Sequence, residues 1–300
     1  MANTVSEKKQ WTILELISWG HTYLAQKGFD ETRLTIELLL AHTLHMQRIQ
    51  LYTNFDKPLQ DDELAQFKSG LQRRLHHEPL QYILGETTFM GLRFVVDPRV
   101  LIPRPETEVL VEQTIEQCKT QFAEGEKIFI VEIGTGSGCI AISLAKLLQH
   151  AHFLATDISA EALELAQSNA EALCVAEKIQ FIQHDIFLES GALNIERCDV
   201  LVSNPPYISA NEYEHLQQEI VKFEPASAVT DYEDGFRFYK QVADVAKKIV
   251  KPEGFVLVEH AYNQADAIQK IFLDAGWKKL QTIRDYSNNA RCLLARECTV

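Results

Sequence analysis

Residues 202–208 read V-S-N-P-P-Y-I. An apolar run gives way to Asn204, Pro205, Pro206 and Tyr207. Asn-Pro is a strong turn signal, and two prolines end any strand. A segment that only turns, however, has no need of an aromatic behind a rigid double proline. A second segment of the same kind lies upstream, V-E-I-G-T-G-S-G-C-I-A, with glycines at 134, 136 and 138. Glycine lets a backbone turn tightly and approach a ligand closely, and such a loop opens a helix whose first N–H groups are free to bind an anion or a polar edge. Nineteen residues past Gly138 stands Asp157, expected as a surface carboxylate at a strand end and placed to accept from ribose hydroxyls. Its structural alternative is a helix N-cap, a role Ser159 fills equally well. Loop and acid together point to an adenosine-bearing ligand and leave NAD, FAD and S-adenosylmethionine open.

The elements around these residues supply the reason for their spacing. From residue 127 onward the chain alternates strand and helix. Strands are expected at Lys127–Ile133, Phe153–Asp157, Ile179–Gln183, Asp199–Ser203 and Gly254–His260, with helices such as Ala160–Leu173 and Phe236–Val250 between them. This is the rhythm of an α/β, doubly wound and mostly parallel sheet. Two late strands near Leu280–Arg284 and Arg291–Arg296 close it as an antiparallel hairpin. In open α/β sheets ligands sit beyond the carboxyl ends of the strands, so the glycine loop, Asp157, H-D-I-F (184–187) and N-P-P-Y fall on one crevice. There Asp185 would meet an adenine amino group, with Ile186 against the ring face.

Residues 1–80 read as helices. Thr12 and Glu15 form a capping box ahead of Ile13, Ile17 and Leu24, with Gly28 as a stop. A second helix is expected from Asp30, and a third over 61–75 carries Leu64, Phe67, Leu71 and Leu75 on one stripe. Pro79 breaks the pattern, and 86–98 reads as a short hairpin leading to V-L-I-P-R-P-E-T-E and a helix through about residue 122. The expected domains are a helical bundle over 1–84, a hairpin linker over 85–99 and a catalytic domain over 100–300.

The chain has 300 residues, is 46% hydrophobic and carries a net charge of −13, the acid excess lying almost entirely after residue 85. This disfavours nonspecific nucleic-acid binding, which depends on cationic neutralisation of phosphates. Cys118, Cys139, Cys174, Cys198, Cys292 and Cys298 include no C-x-x-C pair, and the ten histidines show no ligand spacing, so neither a disulfide frame nor a metal site is expected. The first ten residues lack an apolar signal core and no run of 18 apolar residues occurs, which predicts a cytoplasmic protein with no membrane segment.

In this order, G-x-G-x-G, Asp157 and Asn204-Pro205-Pro206-Tyr207 resemble the S-adenosylmethionine methyltransferases that modify planar amino nitrogens. Among these the chain is most similar to the glutamine-N5 methyltransferases of peptide-chain release factors, over nearly its whole length. The stretches E-P-L-Q-Y-I-L-G-E (78–86), L-I-P-R-P-E-T-E (101–108), D-G-F-R-F-Y (234–239), V-E-H-A-Y-N-Q (258–264) and R-D-Y-S-N-N-A-R (284–291) all carry the resemblance. Glu132 stands where that family usually has Asp, Ala261 where it has Gly, and Ile186 where an aromatic is common. The resemblance implies a seven-stranded Rossmann-like methyltransferase sheet with an N-terminal helical bundle for substrate docking. It also implies methyl transfer from S-adenosylmethionine to the glutamine of a Gly-Gly-Gln loop in class-1 release factors; a monomer is expected.

Cofactor contacts are then implied at Glu132, Gly134, Thr135, Gly136, Ser137 and Gly138, and at Asp157, Ile158, Asp185, Ile186 and Asn204, with no metal. The catalytic group is Asn204, Pro205, Pro206 and Tyr207. In that chemistry the Asn204 side-chain oxygen and the rigid Pro205 carbonyl accept the two N–H groups of an amide, while Tyr207 packs on its flat face. A DNA adenine or cytosine amino methyltransferase would need the same motif, but must also flip a base and hold phosphates. A non-catalytic cofactor scaffold is the third reading, disfavoured by the intact Asn204.

Overall fold

A computed structural model describes residues 10–188 and 197–298. The N-terminal stretch read above for a signal core lies mostly outside them. The chain divides into two units, Met1–Leu84 and Gly85–Val300.

The first unit is helical: α1 (Ile13–Gln26), α2 (Thr32–Thr43), α3 (Arg48–Thr53), α4 (Asp61–Leu75) and α5 (Leu80–Leu84). The Thr12–Glu15 capping box opens α1, and Ile13, Leu16, Ile17 and Leu24 form its buried stripe. The second helix begins two residues after the expected Asp30, because Glu31 is in the left-handed region (φ 48°) and serves as its N-cap. Phe67 and Leu71 of α4 are buried in a core shared with α1 and α2. Within that core Glu37 accepts from Arg33 Nε (2.8 Å), Arg48 Nε (2.6 Å) and the Tyr52 hydroxyl (2.6 Å), which ties α2 to α3. Burial pushes its carboxyl upward, but the three donors outweigh burial and hold it below the usual carboxylate value.

The second unit opens with a hairpin, β1 (Glu86–Phe89) and β2 (Leu92–Val95), whose Phe89 and Phe94 are buried in this unit's own core. Then follow α6 (Glu108–Gln121), β3 (Ile128–Ile133), α7 (Cys139–Leu147), β4 (Ala151–Asp157), α8 (Ala160–Ala172), β5 (Ile179–Gln183) and β6 (Cys198–Ser203). After two short helices, α9 (Ala210–Tyr213) and α10 (Gln218–Phe223), come α11 (Arg237–Ile249), β7 (Val250–Glu259), α12 (Ala265–Asp274), β8 (Trp277–Arg284) and β9 (Ala290–Cys298). The seven-stranded sheet has the order β5-β4-β3-β6-β7-β9-β8, parallel from β5 to β7 and antiparallel at β9 and β8. One face packs on α6, α7, α8 and the hairpin, the other on α11 and α12. Helix α11 shows why: Tyr239, Val242, Ala243, Ala246 and Ile249 recur at helical spacing and are all buried. Each large apolar side chain so buried contributes about 1.5–3 kcal/mol.

The strand expected from Gly254 starts earlier, at Val250, and ends at Glu259, one residue short of His260. Cys198 pairs with Val250 and Val200 with Phe255, so a bulge lies between. Gly254 sits in it because a Cβ there would come within 2.4 Å of the Asp199 carbonyl oxygen. Helix α12, for which the sequence reading names no element, supplies Ile268 and Phe272 to the second core. Among the described residues Cys118, Cys139, Cys198 and Cys292 are buried free thiols and Cys174 an exposed one. Burial pushes the Cys118, Cys139 and Cys198 thiols up to about 12. The side chain of Cys298 lies outside the described residues. No group of three or more described His, Cys, Asp or Glu residues is placed to hold a metal ion. No described helix is long and apolar enough to cross a membrane.

Candidate active site

At the carboxyl ends of β3, β4, β5 and β6 lies a cavity of about 450 Å³. Gly134, Thr135, Gly136, Ser137, Asp157, Ile158, Asp185, Ile186 and Asn204 line it. Glu132 and Gly138, also expected at a cofactor, do not. Gly138 is in the left-handed region (φ 81°), and a Cβ on it would stand 2.7 Å from Ile142 Cδ1 and 3.1 Å from Ala166 Cβ. Its bareness therefore lets α7 pack against α8. Gly134 and Gly136 also have positive φ, but a Cβ on either would meet nothing within 4 Å. That open space is a cradle in which a ligand can approach the backbone.

Glu132 is fully buried behind the loop. Its Oε2 accepts from the Thr135 hydroxyl (2.8 Å) and the Ala141 N–H (3.1 Å), while Oε1 has no partner. Burial pushes its carboxyl up to about 7; the Thr135 and Ala141 hydrogen bonds oppose that, and the charge of Asp157 adds to it. Glu132 thus braces the loop from behind.

Asp157 is not the free surface group the sequence suggests. Oδ2 accepts from the Gly136 N–H (2.9 Å) and Oδ1 from the Ser159 N–H (3.0 Å). Burial raises its carboxyl above the ordinary value, against the pull of those backbone donors. The helix cap is Ser159, whose hydroxyl accepts from the Ala162 N–H. A carboxylate offers about four lone-pair sites, so Asp157 keeps acceptor capacity beyond these backbone donors. Asp185 holds the turn after β5 by accepting from the Phe187 N–H (2.9 Å).

Ile186 is buried, and the aromatic surface comes from the next residue. Phe187 meets Phe238 edge-on at 5.0 Å, and the Arg237 guanidinium lies over the Phe187 ring at 4.1 Å. All three line the cavity. The sequence reading did not assign them, although D-G-F-R-F-Y contains two of them.

Asn204 stands where the cavity adjoins a smaller recess of about 120 Å³, lined also by Pro205, Pro206, Tyr207, Leu216 and Ile220. Its Nδ2 donates to the Thr107 hydroxyl (3.1 Å), which leaves Oδ1 as the free end of the amide. Among the described residues neither Asn204 Oδ1 nor the Pro205 carbonyl accepts a hydrogen bond. Burial holds the Tyr207 phenol well above its ordinary value, so it stays protonated at neutral pH.

Three of the sequence stretches set aside above clamp this motif. Gln264 of V-E-H-A-Y-N-Q donates Nε2 to the Tyr207 carbonyl at 2.9 Å. Gly235 of D-G-F-R-F-Y lies beneath it, where a Cβ would come 2.6 Å from that same carbonyl oxygen. L-I-P-R-P-E-T-E supplies Thr107, and also Arg104, whose Nη2 pairs with buried Glu224 at 2.6 Å. The sequence signal for these clamps was their presence in the stretches; only the fold shows what they hold.

Two family models match the chain: the PrmC N-terminal domain over residues 15–85, and the methyltransferase small domain over residues 107–228. The release factor glutamine methyltransferase of Chlorobaculum tepidum is 40% identical over 290 residues, covering 96% of this chain and 98% of that protein. That of Bacillus subtilis is 37% identical, covering 95% and 97%. Among solved structures, the hMettl16 catalytic domain in complex with a MAT2A 3'UTR hairpin matches with a TM-score of 0.54 at 16% identity, over 82% of this chain and 87% of that one, a likeness of fold. With full-length relatives at this identity, the chain belongs to the release factor glutamine methyltransferase family.

Proposed function

We propose that the protein transfers a methyl group from S-adenosylmethionine to the side-chain amide nitrogen of the glutamine in the Gly-Gly-Gln loop of class-1 peptide-chain release factors. The observation that carries this reading is the pair of vacant acceptors, Asn204 Oδ1 and the Pro205 carbonyl, on consecutive residues that both line the recess. A primary amide presents two N–H donors in one plane, and two fixed acceptors are what such a group needs.

The cavity suits the cofactor. Gly134 and Gly136 leave their Cβ positions open, Asp157 has lone pairs for ribose hydroxyls, and Asp185 lies beside the Phe187–Arg237 wall, where an adenine fits. The bound cofactor supplies an electrophilic methyl group on a sulfonium.

The rest is positioning. An amide nitrogen is a weak nucleophile because its lone pair is delocalised into the carbonyl. Asn204 and Pro205 fix the plane of the amide by taking both N–H groups, so the nitrogen presents its face to the cavity. As its bond to the methyl carbon forms and the carbon–sulfur bond breaks to leave S-adenosyl-L-homocysteine, it would give up one N–H proton by way of these acceptors to solvent. Fixed dipoles of this kind cost no reorganisation at the moment of reaction, and holding the partners in register supplies much of the remaining acceleration. The apolar recess formed by Pro206, Tyr207, Leu216 and Ile220 receives the glutamine stem and excludes water.

In this reading residues 1–84 supply docking surface, and the chain works as a monomer in the cytoplasm, in keeping with its free thiols. The test is mass spectrometry of a purified release factor after incubation with the protein and S-adenosylmethionine. One added methyl on the Gly-Gly-Gln glutamine is expected; an unmodified factor contradicts the reading.

A further inference from the structure

The carboxyl end of β7 carries an acid that the function just described does not use. Ser203 of β6 lies opposite Val258 of β7, so the next residues, Asn204 and Glu259, emerge side by side where the strands end. Side chains alternate along a strand, so both share the face of Val202 and Leu257. That face is covered by α6, and Thr107 stands immediately before α6. Glu259 is only 1% exposed, and its Oε2 has no partner. The Tyr239 hydroxyl donates to its backbone carbonyl at 2.8 Å, which pins the strand end beneath.

A buried carboxyl with an unmade hydrogen bond costs about 1–3 kcal/mol or more, and an apolar residue would serve the core better. The expense needs a reason, and the neighbours provide one. The Glu259 carboxyl faces the Thr107 hydroxyl and the Asn204 amide, which oppose the effect of burial upon it. Asn204 Nδ2 already donates to Thr107 Oγ1 at 3.1 Å. A threonine oxygen that receives this bond has its own proton to give, and the acid is there to take it. The order Asn204–Thr107–Glu259 then has one sense throughout: donors point toward the acid, and the Asn204 oxygen points toward the substrate.

We propose that Glu259 is a positioning residue, which through Thr107 and through its own contact with the amide N–H end fixes the Asn204 amide with its oxygen facing the acceptor nitrogen. The inference rests on the glutamine-methylation reading. Glu259 touches neither substrate nor cofactor in it. Without the acid, the Asn204 amide has no reason to prefer oxygen outward over nitrogen outward. In the flipped orientation it presents donors to a donor.

The test is a kinetic cycle on the full chain with a release factor as substrate, alongside calorimetry of S-adenosylmethionine binding on the same preparations. Glu259→Leu removes the acceptor while keeping the site filled; Glu259→Gln keeps a side-chain oxygen. Glu259→Leu should lower kcat by about tenfold with KM and cofactor affinity unchanged, and Glu259→Gln should recover most of the loss. Thr107→Val should reproduce the Glu259→Leu effect and Thr107→Ser should not, which keeps the test decisive if the Glu259 variants fold poorly. The Asn204→Ala/Glu259→Leu double variant should turn over no more slowly than Asn204→Ala alone. An unchanged kcat in Glu259→Leu and Thr107→Val, a loss confined to KM or cofactor affinity, or additive losses in the double variant would each overturn the role. A wild-type protein that leaves the glutamine unmethylated removes the reading on which the role depends, and does so before any variant is compared.

Discussion

Asp157 Oδ2 accepts the backbone N–H of Gly136 at 2.9 Å, so the acid at the end of β4 and the glycine loop after β3 form one unit. The carboxylate holds the loop at Gly136, where the cradle is open. Asp157→Ala should therefore act twice. Loss of a charged hydrogen bond to a ribose costs roughly 1.5–3 kcal/mol, about 10- to 150-fold in cofactor affinity. The freed Gly136 N–H should also lower the melting temperature. Titration calorimetry and thermal unfolding check both parts, and an unchanged affinity would remove Asp157 from the site.

Two of the loop glycines, Gly138 and Gly136, should separate by what lies beside them. Gly138→Ala drives a Cβ into Ile142 and Ala166 at left-handed φ, so it should destabilise the fold by about 1–3 kcal/mol. Gly136→Ala carries the same strain of a left-handed φ (53°) but meets no neighbouring atom and fills the cradle, so it should destabilise less than Gly138→Ala and weaken cofactor binding more. Unfolding midpoints set against binding constants for the two variants decide this. Equal profiles would mean that the cradle does not receive the ligand.

The buried Glu132 should leave a trace in the pH dependence of stability. Burial raises its folded value to about 7 from an ordinary 4.5, so the native state prefers the neutral acid. Its contribution is fully present below pH 4.5 and is lost as pH rises through 7. Glu132→Gln cannot ionise and keeps an acceptor for Thr135 and Ala141. Relative to wild type it should gain stability between about pH 5 and pH 7 and level off above, with roughly 3 kcal/mol as an upper bound. Denaturant titrations at pH 5.5 and 8 measure the difference. A gap that does not grow with pH would show that Glu132 is already ionised in the fold.

Much of this was legible in the residues because the relevant signals are local. Thr12 with Glu15 announces a helix start by two hydrogen bonds made within one turn. The βαβ rhythm places the glycine loop, Asp157, Asp185 and Asn204 at strand ends, and strand ends in such a sheet share one edge. What stayed hidden depends on contacts distant in sequence. Thr107 reaches Asn204 across 97 positions, and Gln264 reaches Tyr207 across 57. No periodicity announces either one. Asp157 was located correctly but given too much freedom, since its bond to Gly136 appears only when β3 and β4 lie side by side. The strand expected from Gly254 begins earlier because the fold absorbs Pro252 and Gly254 in a bulge, which residue types that break strands do not announce.

In the proposed reaction the two vacant acceptors serve a protein amide. A glutamine amide and an adenine amino group each offer two N–H donors in a plane, so Asn204 and Pro205 alone do not choose between them. The surroundings should: a net charge of −13, with its excess in the second unit, is expected to slow the approach of a polyanion. A competition assay with methyl-labelled S-adenosylmethionine, offering a class-1 release factor and duplex DNA together at moderate salt, measures the choice directly. Label on the Gly-Gly-Gln glutamine and none on DNA is the expected result. Label on DNA, or on protein at any other residue, would contradict the account.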